Sequence, residues 1–106
     1  MKILAIEREA SGTANVEANS LLEAEARKVW DLQVAGVVRE IYFRSDRREA
    51  VLMLECSGVD EANTILSALP LVHEGLISFE VIPLSPYTGL SRLFAGDLAR
   101  SGRTHS

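Results

Sequence analysis

The spacing of apolar and polar positions changes period along the chain, and each change predicts an element. KILAIER at 2–8 alternates as a short strand, and the Ser, Gly, Thr and Asn stretch after it suits a flexible rim rather than regular structure. A helical period follows over 20–35. At about 100° per residue, Leu22, Ala26, Val29 and Gln33 fall on one face, while Glu23, Arg27 and Asp31 point away. Ser20 and Glu23 have the spacing of a capping box, and Gly36 ends the helix. VVREIYF at 37–43 and AVLMLEC at 50–56 form two β-rich runs around SDRR, a length that favours a hairpin. Asp60 can cap a short second helix running to about Leu69, where Pro70 disfavours continuation. A loop with His73, Glu74 and Gly75 leads to a fourth strand, ISFEVIPL, at 77–84.

The order is therefore β-α-β-β-α-β. With right-handed crossovers this predicts an α+β fold of ferredoxin-like type, a four-stranded antiparallel sheet with two helices on one face. In the 50–56 run, Ala50, Leu52 and Leu54 alternate with Val51, Met53 and Glu55, so neither face is convincingly polar. Burying the second face against another copy gives the expected assembly, a homodimer in the form of a dimeric α+β barrel, with a larger ring also open. Tyr87, Leu90, Leu93 and Phe94 in the segment 85–94 are expected to contact that partner, which makes 1–94 one domain and 95–106 a flexible tail.

Composition narrows the function. A net charge of -4 without a dense basic tract argues against nucleic acid as a partner. No apolar run is long enough to cross a membrane, and a cytoplasmic location is expected. The single cysteine, Cys56, excludes an internal disulfide and reads as a small hydrophobe at a strand end, with a reactive thiol as the lesser alternative. Two histidines, one of them His105 in the tail, supply no transition-metal ligand set, so neither metal nor cofactor is expected. The glycines are too scattered for a phosphate loop, and no serine sits in a G-x-S-x-G elbow.

What remains is acid–base chemistry in a small pocket. Glu25 stands between Leu21, Val29 and Leu32 in the apolar stripe, where an unpaired carboxylate is costly and a raised pKa follows. It can serve as a pocket acid, reach water or an arginine from the stripe's edge, or sit in an interface. Tyr42 could donate a phenolic hydrogen bond to a ligand or pack structurally, and His73 could shuttle protons from the rim, with Glu74 orienting it or facing water. Arg39, Arg44, Arg47 and Arg48 are the candidates for recognising a carboxylate.

LLEAEARKVWDLQVAG, then TILSALPL followed by FEVIPLSP, resemble the muconolactone delta-isomerase family over 21–86. That resemblance implies barrel-forming dimers and cofactor-free movement of a proton in a small unsaturated lactone or related cyclic acid, with Glu25 in the family's acidic helix position. Tyr42 stands where members tend to carry tryptophan, which bears on substrate identity. The alternative is a noncatalytic small-molecule-binding or oligomerising module.

Overall fold

The structure, a computed structural model, describes residues 1–9 and 18–94. The stretch expected to form a rim and the tail at 95–106 with His105 lie outside the described residues. Strand β1 is Lys2–Glu9, helix α1 is Ala18–Val34, and β2 (Val38–Phe43) and β3 (Ala50–Glu55) form the hairpin. Helix α2 (Val59–Ser67), a single turn α3 (Pro70–His73) and β4 (Ile77–Leu84) follow, and a 3₁₀ segment at Gly89–Phe94 ends the described chain. The sheet order is β2-β3-β1-β4, antiparallel throughout.

The core lies between the sheet and α2. Ile3 and Ala5 of β1, Leu52 and Leu54 of β3, and Val38 of β2 meet Ala62 and Leu66 of α2 and Leu69 just beyond it. Full burial of each large aliphatic side chain stabilises the fold by about 1.5–3 kcal/mol, so this small cluster holds the sheet and α2 together. Val29 and Leu32 of α1 pack against its margin.

Backbone chemistry sets the element ends. Gly36 takes φ 83, which a side chain would oppose. Its N–H donates to Gln33 and the Val37 N–H to Leu32, closing α1 with a Schellman turn. Gly75 repeats the device after α3: φ is 79, and the Gly75 and Leu76 amides donate to Val72 and Leu71. The expected capping box does not form. Helix α1 already runs from Ala18, so Ser20 lies inside its first turn. Nor does Asp60 cap α2, because Gly58 holds that position and Asp60 sits in the first turn. Pro70 does stop α2, yet it also starts α3: its missing N–H is no loss at a first helical position. His73 therefore closes a helical turn instead of lying in a loop.

The expected dimeric α+β barrel is corrected, because the sheet is open. β2 and β4 stand at opposite margins and do not pair. Closing it would require β2 and β4 to pair, and the order β2-β3-β1-β4 sets β3 and β1 between them. The open edges are blunted instead, by a bulge at Val38/Glu40 in β2 and by Pro83 in β4. The register leaves Leu4, Ile6, Val51, Met53 and Ile82 on the face away from the helices, each half-buried.

The bulge also decides which β2 side chains face inward. Val38 pairs with Leu54 on the helix side, but the extra residue moves Glu40 opposite Met53 and returns Ile41 and Phe43 to the helix side, opposite Leu52 and Ala50. Tyr42, opposite Val51, consequently points to the uncovered face.

Candidate functional site

Helix α1 extends beyond the core, and a cavity of about 550 Å³ lies between it and the sheet. Leu22, Ala26, Val29 and Gln33, the face marked by the helical period, all line it together with Trp30 and Glu25. The opposing wall comes from Ile41, Phe43, Ala50, Leu52, Ile77 and Phe79. The volume falls within the usual range for small-molecule pockets, about 300–1,000 Å³, and the lining is mostly apolar. Among the described residues, Glu7, Glu25, Arg48, the Gln33 amide and the Trp30 indole N–H bring charge or side-chain hydrogen-bonding groups to it.

Two backbone amides left without ladder or helix partners hold the carboxyls in place. Pro70 has no N–H, so Leu71 presents the first amide of α3, one of the donors every helix start leaves free. Glu25 Oε1 accepts from it at 2.9 Å. The β1–β3 ladder ends at the Ile6–Val51 pair, and the next β3 amide, Ala50 N–H, donates to Glu7 Oε1 at 2.8 Å. A carboxylate thus continues the ladder where the strand does not.

Burial pushes the Glu25 carboxyl above the ordinary 4.5; the Leu71 N–H opposes this and the negative charge of Glu7 adds to it. A half-buried acid with a raised pKa, one oxygen fixed by a backbone amide and a mostly apolar cavity beside it, can exchange a proton with a bound molecule.

The other expected residues lie elsewhere. Tyr42, on the uncovered sheet face, donates to Glu40 Oε1 at 2.9 Å; that hydrogen bond and the Glu40 charge raise its phenol pKa. The His73 side chain is 75% exposed, with Nδ1 3.5 Å from Glu74 Oε2, and it does not line the cavity. Neither meets Glu25 there. Cys56 packs against the edge of the core as a free thiol. Among the arginines, Arg39 donates to the Gly36 carbonyl, Arg44 pairs with Asp46 and Glu49, and Arg47 lies 4.0 Å from Glu49. Arg48 is the one of the four that lines the cavity, its guanidinium carbon 4.5 Å from the centre of the Phe43 ring. Among the described residues no three His, Cys, Asp or Glu side chains converge to hold a metal ion.

Glu7 was legible and went unread. In KILAIER the alternation that buries Ile3 and Ala5 carries Glu7 to the same face, so the strand period itself marks an inward carboxylate.

No family model matches the chain, and no curated protein matches it in sequence. The resemblance to muconolactone delta-isomerases therefore rests on the quoted segments alone. The barrel it implies is replaced by an open sheet, and isomerase activity draws no support from these comparisons.

Proposed function

We propose that the cavity binds a small, largely apolar organic molecule and that Glu25 moves a proton on it without a cofactor. The observation that carries this reading is Glu25 itself, half-buried on an apolar wall and anchored through one oxygen by the Leu71 amide. The chemistry is that implied by the muconolactone delta-isomerase resemblance. As a base, Glu25 takes the proton from a carbon next to a conjugating carbonyl, and the electron pair delocalises as an enolate. Returned at the far carbon of the conjugated system, the same proton leaves the double bond shifted and the acid regenerated. The side-chain amide of Gln33, on the same lining, is a donor available to the enolate oxygen. Tyr42 and His73, being outside the cavity, have no part in this scheme.

The test is NMR in deuterated water with muconolactone-like unsaturated lactones. Protein-dependent isomer formation or deuterium at carbon is expected, reduced at least about 100-fold in Glu25→Gln. Ligands that bind without either signal would reject turnover and leave a noncatalytic binding module.

A second reading concerns assembly. The apolar patch of Leu4, Ile6, Val51, Met53 and Ile82 favours a homodimer in which two open sheets pack face to face, with each chain keeping its own cavity. Tyr87, Leu90, Leu93 and Phe94, all exposed in the single chain, extend the apolar surface offered to a partner. The location that goes with this proposal is the cytoplasm, where the free Cys56 thiol stays reduced.

A further inference from the structure

Arg48 is set apart from the chain's other cavity-side and hairpin cations by what surrounds it. Arg8 lies 2.6 Å from Glu80, Arg44 lies 2.6 Å from Asp46, and Arg47 stands within 4.0 Å of Glu49. Arg48 has no carboxylate within that distance among the described residues, although Glu7 and Glu25 line the same cavity. It stands instead over the ring of Phe43, itself a lining residue. An aromatic face steadies a guanidinium through its π surface and leaves the N–H edge free, the geometry that receives a carboxylate through two parallel hydrogen bonds. Arg48 is exposed in the connection between β2 and β3, at the cavity's solvent side with Phe43 and Trp30, while the buried Leu52 and Leu69 lie at its floor.

We propose that the ligands of this cavity are apolar monocarboxylates, their carboxylate held by Arg48 and their hydrocarbon or aromatic body against Val29, Trp30, Ile41, Phe43 and Phe79. The proposal rests on the reading of the cavity as a small-molecule site and adds the ligand class to it. Glu7 and Glu25 on the same lining disfavour a second negative charge in the ligand, which limits it to one anion. The apolar walls supply affinity without selecting among bodies of similar size, and Arg48, the one cation on the lining among the described residues, supplies the selection for an acid over its neutral analogue.

The experiment compares 1-naphthoate with 1-naphthamide, which share an aromatic body and differ in the charge of the head group. Titration calorimetry at low salt is run on the wild type, Arg48→Gln and Arg48→Lys. Trp30, the single tryptophan, reports occupancy of the cavity through its indole N–H resonance. Naphthoate is expected to bind the wild type at least about tenfold tighter than naphthamide, with the preference shrinking as salt is added. Arg48→Gln should bring the two ligands to parity by weakening naphthoate alone, and Arg48→Lys should fall between. Equal binding to the wild type, or a preference that survives Arg48→Gln, overturns the carboxylate assignment while leaving the cavity a binding site. If neither compound binds or moves the Trp30 resonance, the small-molecule reading fails and the assignment fails with it. The wild-type comparison and its salt dependence decide the question even where a variant folds poorly.

Discussion

The two faces of the sheet are built from the same two central strands, β1 and β3, and the same kinds of side chain, yet they meet different surroundings. On one face Ile3, Ala5, Leu52 and Leu54 are sealed by α2, and further along α1 stands off to leave the cavity. On the other, Leu4, Ile6, Val51 and Met53 alternate with those same residues and have no helix above them among the described residues. Polar groups are handled differently as well. Glu7 and Glu25 on the covered face each accept a backbone amide that the secondary structure leaves free, whereas the pairs on the uncovered face, Tyr42 with Glu40 and Arg8 with Glu80, are solvent-exposed side-chain contacts. Apolar side chains alone therefore do not distinguish the two faces. A cavity with carboxyls fixed by backbone amides does so on one side, whereas the other carries a bare apolar patch.

Substitutions can break this contrast. The largest effect is expected for Leu54→Ala, which empties a fully buried site and should cost about 2–5 kcal/mol. Its neighbour Met53→Ala should cost about 1 kcal/mol or less if water covers the open face. Urea unfolding at two protein concentrations checks both, and a Met53→Ala cost that grows with concentration would show the open face buried in a dimer.

Leu4→Glu addresses the assembly directly. A charge at the centre of the patch should weaken the proposed sheet-to-sheet dimer by on the order of 3 kcal/mol, since it would be buried there without a partner. Sedimentation velocity should shift from dimer to monomer with an unchanged far-ultraviolet spectrum. An unaltered mass would remove this face from the interface.

Glu25→Gln sharpens the cavity side through pH. The native carboxyl has its pKa raised by burial, so the wild type and the variant should be nearly equal in stability below the ordinary value of 4.5, where Glu25 is neutral whether folded or not. As pH rises through 4.5 the unfolded chain loses the proton first and wild-type stability falls, until the folded-state pKa is passed. Glutamine never ionises and can still accept from the Leu71 N–H, so the variant becomes the more stable protein over that window and stays so above it. Urea midpoints at pH 4 and pH 8 measure the gap; a less stable variant at pH 8 would show that burial does not dominate at Glu25.

The smallest effect is expected for Tyr42→Phe. The lost hydrogen bond to Glu40 is solvent-exposed, so stability should move by no more than about 0.5 kcal/mol, with ligand exchange in the cavity unchanged. A marked loss of exchange would return Tyr42 to the site.

Local period and breakers such as Gly36 and Pro70 suffice for the order of the four strands and the two longer helices, the 77–84 strand to the residue, the inward face of α1 and the two-sided apolarity of β3. Glu7 too lay in an alternation that needed only to be followed one step further. The remainder depends on packing between elements distant in the chain. One extra residue in β2 turned Tyr42 outward and Phe43 inward, an outcome set by pairing with β3 that β2's own alternation hides. Pro70 opens a helical turn rather than a loop, and that turn supplies the amide that holds Glu25. Arg48 was one of four equivalent arginines until the hairpin placed the other three against carboxylates or a carbonyl and left it over Phe43 at the cavity. The open sheet belongs with these: closure depends on how many strands pair around a ring, and no periodicity within one chain records that number.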